Sequence, residues 1–530
     1  MNIRQKLATT LMVSTMLIAA PAFAETVLHR GNSGEPTSLD YAHISINIEG
    51  FIVNDLFEGL TIYGADGAIV PGAAESWTIS DDGTVYTFKI RDDAKWSDGT
   101  PVTAGDFVFA MQRIQNPKTA AQYANILYPI KNAEKINTGA LPVEELGVKA
   151  VDDKTLEITL ERSTPYFLQL VAHYTALPIS KANYEKFGDQ FVKPGNMVSN
   201  GAYKLQAHVP NDSLTAVKNE NYWDAANVQI DKVIFYPIED AAAAIRRYEA
   251  GELDVTYNFS AEQITRLREK YGDEVHVSPA LATYYYTFDT RTAPFDDPNV
   301  RKALSMAVDR DFLSQEIYAG AQLPAYALVP PGMEGYAKPA EPDYATLSQI
   351  DREDKALELM EAAGYGKGGK PLDIEIRYNT NTNHERVATA IADMWKTTFG
   401  ANVSLVNLDV ASHYAYLKEG GKFNVARAGW SADYADPENF LFLGLSDNTS
   451  FNYGHYNNPE FDKLVKASYN ETDQAKRMEM MLQAEKIMTN DQPLAPLMNS
   501  ADLWMVSKRV KGWQDNAVNE HRSKFLSVSE

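Results

Sequence analysis

Segments in which apolar and polar residues alternate one by one take turns along this chain with segments of three- and four-residue apolar spacing. This is the pattern of an α/β protein. Thr84–Ile90 alternates behind the turn signal Asp81-Asp82-Gly83 and is expected to be a hairpin strand. Thr103, with Asp106 three residues on, forms a capping box for a helix to about Arg113. Asp297-Pro298 opens a second helix to about Ala307. Arg352–Ala363 reads as a helix stopped by Gly364. Strand Leu372–Tyr378, helix Glu385–Phe399 closed by Gly400, and strand Val403–Leu408 then form a β-α-β unit with a parallel pair of strands. The loop Tyr378–His384, at the end of the first of these strands, is where open α/β sheets hold ligands. No internal repeat, low-complexity tract or heptad pattern interrupts the alternation.

The first 24 residues break the pattern. Arg4 and Lys6 precede the apolar run Leu7–Ala20, and Ala22-Phe23-Ala24 has the small-x-small form of a cleavage site. The segment reads as a secretory signal peptide cut after Ala24, its apolar run too short for a membrane span of about 20 residues. No cysteine follows the cut, so no lipid anchor is expected, and the mature chain is placed in a bacterial periplasm. About 500 residues remain, enough for roughly three domains of about 150 each and for a large core without covalent staples.

The chain has no Cys, which removes disulfides, thiol chemistry and Cys-based metal sites. Its net charge is −22 and becomes more negative once Arg4 and Lys6 are lost. That balance argues against nucleic acid and anionic lipid as partners. The 29 Tyr offer flat apolar faces with a polar end, suited to sequence-tolerant contact.

Catalytic signatures are missing. His384-Glu385 has no second His four residues after His384, and Gly31-Asn-Ser-Gly34 lacks the spacing of a nucleophile elbow. There is neither a phosphate-binding loop nor a dinucleotide fingerprint. The 9 His are scattered. No cofactor, metal or catalytic residue is nominated, and the chain reads as a binding protein rather than an enzyme.

The most informative segment is Phe423–Pro437. It sets Arg427 six residues ahead of Asp433, with Gly429 and Trp430 between them. A zwitterionic ligand needs such a pair of opposed charges, although on the residues alone a surface ion pair on a strand edge has the same form. The segment closely resembles the ligand-binding segment of the periplasmic oligopeptide-binding proteins of peptide ABC importers, the family 5 extracellular solute-binding proteins. Further blocks carry the resemblance in order: Asp55–Leu60, Ala74–Trp77, Asp93–Val108, Asn200–Tyr203, Thr283–Tyr286 and Leu323–Tyr326. Within them Trp96 and Thr103 read as fold markers, a core anchor and a helix cap.

The resemblance implies a two-lobed, type II binding-protein fold with a hinge cleft. Lobe I would comprise 25–57, 181–281 and 500–530, the inserted extra domain 58–180, and lobe II 282–499. It implies that Asp433 accepts the peptide α-amine and that Tyr123 lines that end. Arg427 and His384 would neutralise the C-terminus at particular peptide lengths, with Lys418 near the same end. Gly429 and Ser431 would pair their backbone with the peptide as an added strand, Trp430 and Tyr285 would wall side-chain pockets, and Asn47 joins the ligand-binding set. Close relatives carry cysteine at Ala282 and Ser431, a tryptophan at Ala411 and an arginine at Lys418, so one bridge is lost and one pocket reshaped. The expected function is capture of peptides of about two to five residues by a monomer, and their delivery to an inner-membrane ABC permease. A murein tripeptide receptor is the runner-up, followed by a periplasmic chaperone or a hydrolase working through a carboxylate pair.

Overall fold

The computed structural model describes residues 25–44, 47–121, 123–259, 261–336, 338–408, 410–432 and 434–529. The signal segment and Asp433 lie outside the described residues. In chain order the elements that build the site begin with β1 (Val27–Asn32), α1 (Asn47–Leu56) and the hairpin β2 (Ala74–Ile79) and β3 (Val85–Ile90). Helix α2 (Ala104–Gln115) and strands β4 (Val148–Asp152) and β5 (Thr155–Thr159) follow. Next come β6 (Tyr203–Val209), β7 (Ser213–Lys218), β8 (Lys232–Pro237) and β9 (Val255–Tyr257). The second half holds β10 (Val275–Phe288), α3 (Pro298–Met306), β11 (Gln322–Pro324), α4 (Gln349–Ala362), β12 (Asp373–Asn379) and α5 (Thr382–Phe399). It ends with β13 (Asn402–Leu408), α6 (Val410–Lys418), β14 (Val425–Ser431) and β15 (Leu494–Val506).

One sheet runs through the molecule in the order β13-β12-β14-β10-β15-β9-β1-β8-β7-β6, with β11 beside β15. Its two longest strands, β10 and β15, pair antiparallel and pass from one lobe to the other. Their first section, Val275–Pro279 against Ala501–Met505, packs among Ile245, Leu267, Leu503 and Met505. Their second section, from Thr283 on, packs under Tyr286, Phe288, Val300 and Trp395. The register shifts between Pro279 and Thr283, where the strands change lobes. The four-stranded sheet β2-β3-β5-β4 stands apart from this sheet and packs with α2 as a further layer. It has no separate core: Phe88, Trp96 and Phe107 belong to the same cluster as Leu28, Ile52 and Val233.

Local signals hold where a cap or a glycine sets them. Asp106 accepts from the Thr103 N–H at 2.9 Å, closing the capping box of α2, and also from Trp96 Nε1 at 3.3 Å. Trp96 is 1% exposed, the core anchor expected. Asp297 caps α3 through the Asn299 N–H, and Gly400 ends α5 at φ +70°. β12, α5 and β13 form the expected β-α-β unit, parallel from Asp373↔Asn402 to Asn379↔Leu408. Helix α5 starts earlier than its apolar spacing suggests. The Asn381 carboxamide accepts the N–H groups of Asn383 (2.9 Å) and His384 (3.3 Å), so His384 sits in the first turn and not ahead of the helix.

Ala282 and Ser431 stand opposite each other in the β10–β14 ladder. The Ala432 N–H bonds the Leu281 carbonyl at 2.8 Å, which makes 281–432 a hydrogen-bonded pair and 282–431 a non-hydrogen-bonded one. Such pairs bring Cα atoms to about 4.5 Å, inside the roughly 4.4–6.8 Å that a disulfide spans. The double variant Ala282→Cys, Ser431→Cys is therefore expected to lose both free thiols on mild oxidation and to melt higher than its reduced form. Two persistently free thiols in a thiol titration would show that this register is wrong.

Candidate functional site

The site grows from an edge of β14 that is only half used. On one side β14 pairs with β10 from Ser431 back to Val425. On the other, β12 reaches only Val425 and Ala426. The Ala432–Leu281 bond fixes the alternation of the ladder. Trp430 and Ala428 turn their backbone groups toward β10, while Gly429 and Ser431 turn theirs to the open edge. The Arg427 carbonyl on that edge is already taken by His413 Nε2 at 2.9 Å. Main-chain donors and acceptors at 429 and 431 thus face the cleft as a template for one more strand.

The same alternation sorts side chains onto two faces. Arg427, Gly429 and Ser431 share a face with Tyr286, Tyr284 and Ala282 of β10, their direct partners. Arg427 Nη1 donates to Asn379 Oδ1 (3.0 Å) and to the Tyr414 hydroxyl (2.9 Å), and its guanidinium carbon lies 4.6 Å from the Tyr284 ring centre. All these partners are neutral, and among the described residues none forms an ion pair with Arg427. A Cβ at Gly429 would stand 3.3 Å from Arg427 Nη2, so the missing side chain leaves the guanidinium its room. Arg427 lines a hollow of about 410 Å³ with Tyr284, Tyr318, Gln322, Asn381, Asn383 and His384.

His384 packs its ring 5.4 Å from that of Tyr284. Burial, with repulsion from Arg427 and then His413, holds its pKa down to about 4, so it is neutral at pH 7. Three polar atoms of this wall, Arg427 Nε, His384 Nδ1 and Gln322 Oε1, are buried without a hydrogen-bond partner among the described residues. A cation with no anion beside it among the described residues, next to unsatisfied polar atoms, can receive an anionic group such as a carboxylate.

The far end of the edge opens into a cavity of about 330 Å³ between the lobes. Its walls include Asn47, Tyr63, Tyr123, His173, Ala282, Ser431, Ala432, Tyr434, Asp502 and Glu520. Asn47 opens α1, and Tyr123 has its ring 5.9 Å from that of His173. Burial pushes the Asp502 carboxyl up to about 6 against the bond it accepts from the Tyr257 hydroxyl at 3.1 Å. Burial also lowers His173 to about 3. Among the described residues, neither Lys nor Arg lines this cavity. Ala432 and Tyr434 both line it, whereas Asp433 between them lies outside the described residues.

Trp430, on the opposite face from Arg427, donates Nε1 to Asn439 Oδ1 (2.8 Å) and packs 5.1 Å from both Phe442 and Phe451. Tyr285 shares that face but is 2% exposed, set in the core with Ala426, Ala428 and Phe440 and not on either cleft cavity. Lys418 is exposed, its ammonium 5.4 Å from the Phe451 ring, and does not line the Arg427 hollow. The side chain of Ala411 lies outside the described residues. Three contributors were not singled out in the sequence. They are Tyr284, which lies against both Arg427 and His384; Asn379, which holds the guanidinium; and Asp502 in the inter-lobe cavity.

Residues 68–452 match the bacterial extracellular solute-binding proteins, family 5. The chain is 39% identical to the periplasmic oligopeptide-binding protein OppA of Salmonella typhimurium, over 97% of this chain and 96% of that one. It is also 39% identical to the periplasmic murein peptide-binding protein MppA of Escherichia coli, over 91% and 89%. Among solved structures, MppA in its unliganded open form superposes with a TM-score of 0.91 at 38% identity, covering 96% of this chain and 98% of that one. Haemophilus influenzae OppA in complex with RPPGFSPFR gives 0.67 at 36% identity, covering 96% and 100%. At near-equal identity the chain therefore superposes more closely on the unliganded open form of MppA than on the peptide complex of OppA. The chain belongs to the family 5 bacterial extracellular solute-binding proteins.

Proposed function

We propose that the chain is a periplasmic receptor that captures short peptides of about two to five residues in the inter-lobe cleft and hands them to an inner-membrane ABC permease. The observation that carries this is the open edge of β14 with Arg427 at one end, which has no ion-pair partner among the described residues. The four steps from Arg427 to Ser431 cover roughly 13 Å at about 3.3 Å per residue, close to the main chain of a tri- or tetrapeptide. A peptide running antiparallel to β14 sets its carboxylate at Arg427 and its amine beyond Ser431, where Asp433 follows. Its backbone pairs with Gly429 and Ser431, and its side chains alternate between the Arg427 face and the Trp430 face. Such pairing gives affinity without selecting side chains. We take the signal segment to be removed after Ala24, the mature protein to be a periplasmic monomer, and the permease to read the closed form.

A murein tripeptide is the second reading, because the OppA and MppA relatives are equally similar to this chain. Mass spectrometry of small molecules that copurify with the protein separates the two. Ordinary peptides are the expected result, and a uniform diaminopimelate-containing species would reverse the order.

A free N-terminus is expected to be required. Acetylating the peptide, or Asp433→Asn, should weaken binding by at least about 2 kcal/mol, the scale for breaking a buried charge pair. Equal affinity for free and acetylated peptides in calorimetry would remove Asp433 from this role.

Arg427→Ala should cost tripeptides about 1.5–3 kcal/mol and pentapeptides less. Equal losses at all lengths would make Arg427 a support of the wall only. For peptides long enough to reach His384, acidity adds a signature. The folded pKa near 4 lies below the unfolded 6.5, so the free protein loses this part of its stability as pH falls between those values. A bound carboxylate draws the proton back onto His384. Affinity should therefore rise from pH 7 to pH 5 with proton uptake, and His384→Gln should abolish the rise. Identical pH profiles in calorimetry for the two proteins would contradict the assignment.

A further inference from the structure

Asp502 is a carboxylate left without a cation where the ligand edge runs out. Strand β15 carries it opposite Ser278, just ahead of the register shift at which β10 and β15 change lobes. The ladder, and not a loop, therefore sets its position, as precise recognition requires. Its Oδ1 accepts from the hydroxyl of Tyr257 in β9 at 3.1 Å. Burial pushes the carboxyl up to about 6 with that bond alone opposing it, and among the described residues Asp502 forms no ion pair. Glu520, in the same cavity wall, differs. It accepts from Asn54 Nδ2 at 2.8 Å, and the Arg522 guanidinium acts on it against burial.

The cavity that Asp502 lines begins where the β14 edge ends. Ala282 and Ser431 are walls both of this cavity, of about 330 Å³, and of the Arg427 hollow, so the two adjoin along the strand. A peptide with its carboxylate at Arg427 therefore reaches the cavity mouth with its first residue. What the cavity offers that residue suits a positive charge. Phe51, Tyr63, Tyr123 and Tyr174 line it, and aromatic faces attract cations. Gln169, also in the wall, has its Oε1 without a hydrogen-bond partner among the described residues. An uncompensated buried carboxylate is costly, and a cation brought in by the ligand removes that cost. We infer that this cavity is a specificity subsite for a basic side chain on the first residue of the ligand, with Asp502 accepting its charged hydrogen bond. The inference rests on the reading of the chain as a peptide receptor with the ligand carboxylate at Arg427. Within that reading it names a class of ligand: peptides that begin with lysine or arginine.

The test is calorimetric titration of the unaltered protein and of Asp502→Asn with Lys-Ala-Ala, norleucine-Ala-Ala, Ala-Ala-Lys and Ala-Ala-Ala. Norleucine keeps the apolar stem of lysine and the α-amine, so the first two peptides differ in side-chain charge alone. The unaltered protein should bind Lys-Ala-Ala at least about tenfold more tightly than norleucine-Ala-Ala, the scale of one charge-assisted bond. Asp502→Asn keeps the size of the side chain and can still accept from Tyr257. It should erase the lysine preference, leave norleucine-Ala-Ala bound as before, and bind Ala-Ala-Lys as the unaltered protein does. No lysine preference in the unaltered protein overturns the inference, and does so even if the variant fails to fold. A preference that survives in Asp502→Asn puts the acceptor elsewhere and also overturns it. Equal loss for Lys-Ala-Ala and norleucine-Ala-Ala overturns it too, because Asp502 would then serve the α-amine or the fold. A loss confined to Ala-Ala-Lys would reverse the direction of the ligand, with the same consequence. If none of the four peptides binds the unaltered protein, the peptide-receptor reading itself falls and this inference with it.

Discussion

Backbone polar groups must find partners once water is excluded, and the ligand site depends on that constraint being met from outside the chain. β14 is paired along its whole length by β10 but for only two residues by β12. Among the described residues no strand pairs with the outward groups of Gly429 and Ser431, so solvent water is the partner left to them. Closing the lobes without a ligand would strip that water from them and from Arg427, and an unmade hydrogen bond in a dry site costs about 1–3 kcal/mol, more for a charge. A peptide main chain supplies the missing partners in strand geometry. On the proposed reading, ligand binding favours lobe closure, because only the closed form would surround the ligand.

The two ends of the edge differ in charge. Arg427 is surrounded by neutral partners and a histidine kept neutral by burial, so an incoming carboxylate meets attraction and no competing anion among the described residues. The cavity at the other end carries Asp502 and Glu520 and, among the described residues, no Lys or Arg in its lining. On the proposed reading, this polarity would orient a peptide before any side chain is read. Side-chain tolerance follows from the pleat, which sends successive ligand residues to the Arg427 face and the Trp430 face in turn.

Much of the architecture was legible in the sequence, for local reasons. Thr103 with Asp106, Asp297 with Pro298, and Gly400 each set an element boundary by its own chemistry, and the structure agrees. Helix α5 began early because Asn381 caps it, and the apolar spacing there starts only after the capped turn. The three consecutive tyrosines 284–286 defeat period-two reading, since a run of identical residues carries no parity. Pairing with β14 puts Tyr284 beside Arg427 and sends Tyr285 into the core. Asp502 was one of 71 acidic residues and acquires meaning only when β15 crosses beside the cavity. Arg427 and His384 meet through the parallel strands of the β-α-β unit and β14. That approach is tertiary, and the resemblance supplied it where spacing could not. Lys418 was grouped with them and stands apart, because the end of α6 faces Phe451.

The central claim is that the ligand completes the sheet at the free edge of β14. Amide hydrogen exchange resolved at Gly429 and Ser431, with and without saturating Ala-Ala-Ala, tests it most directly. The account predicts fast exchange at both amides in the free protein and strong protection in the complex, while Trp430, already paired with β10, changes little. Unchanged exchange at Gly429 and Ser431 under saturation would contradict it, and the peptide would then be held by its ends alone.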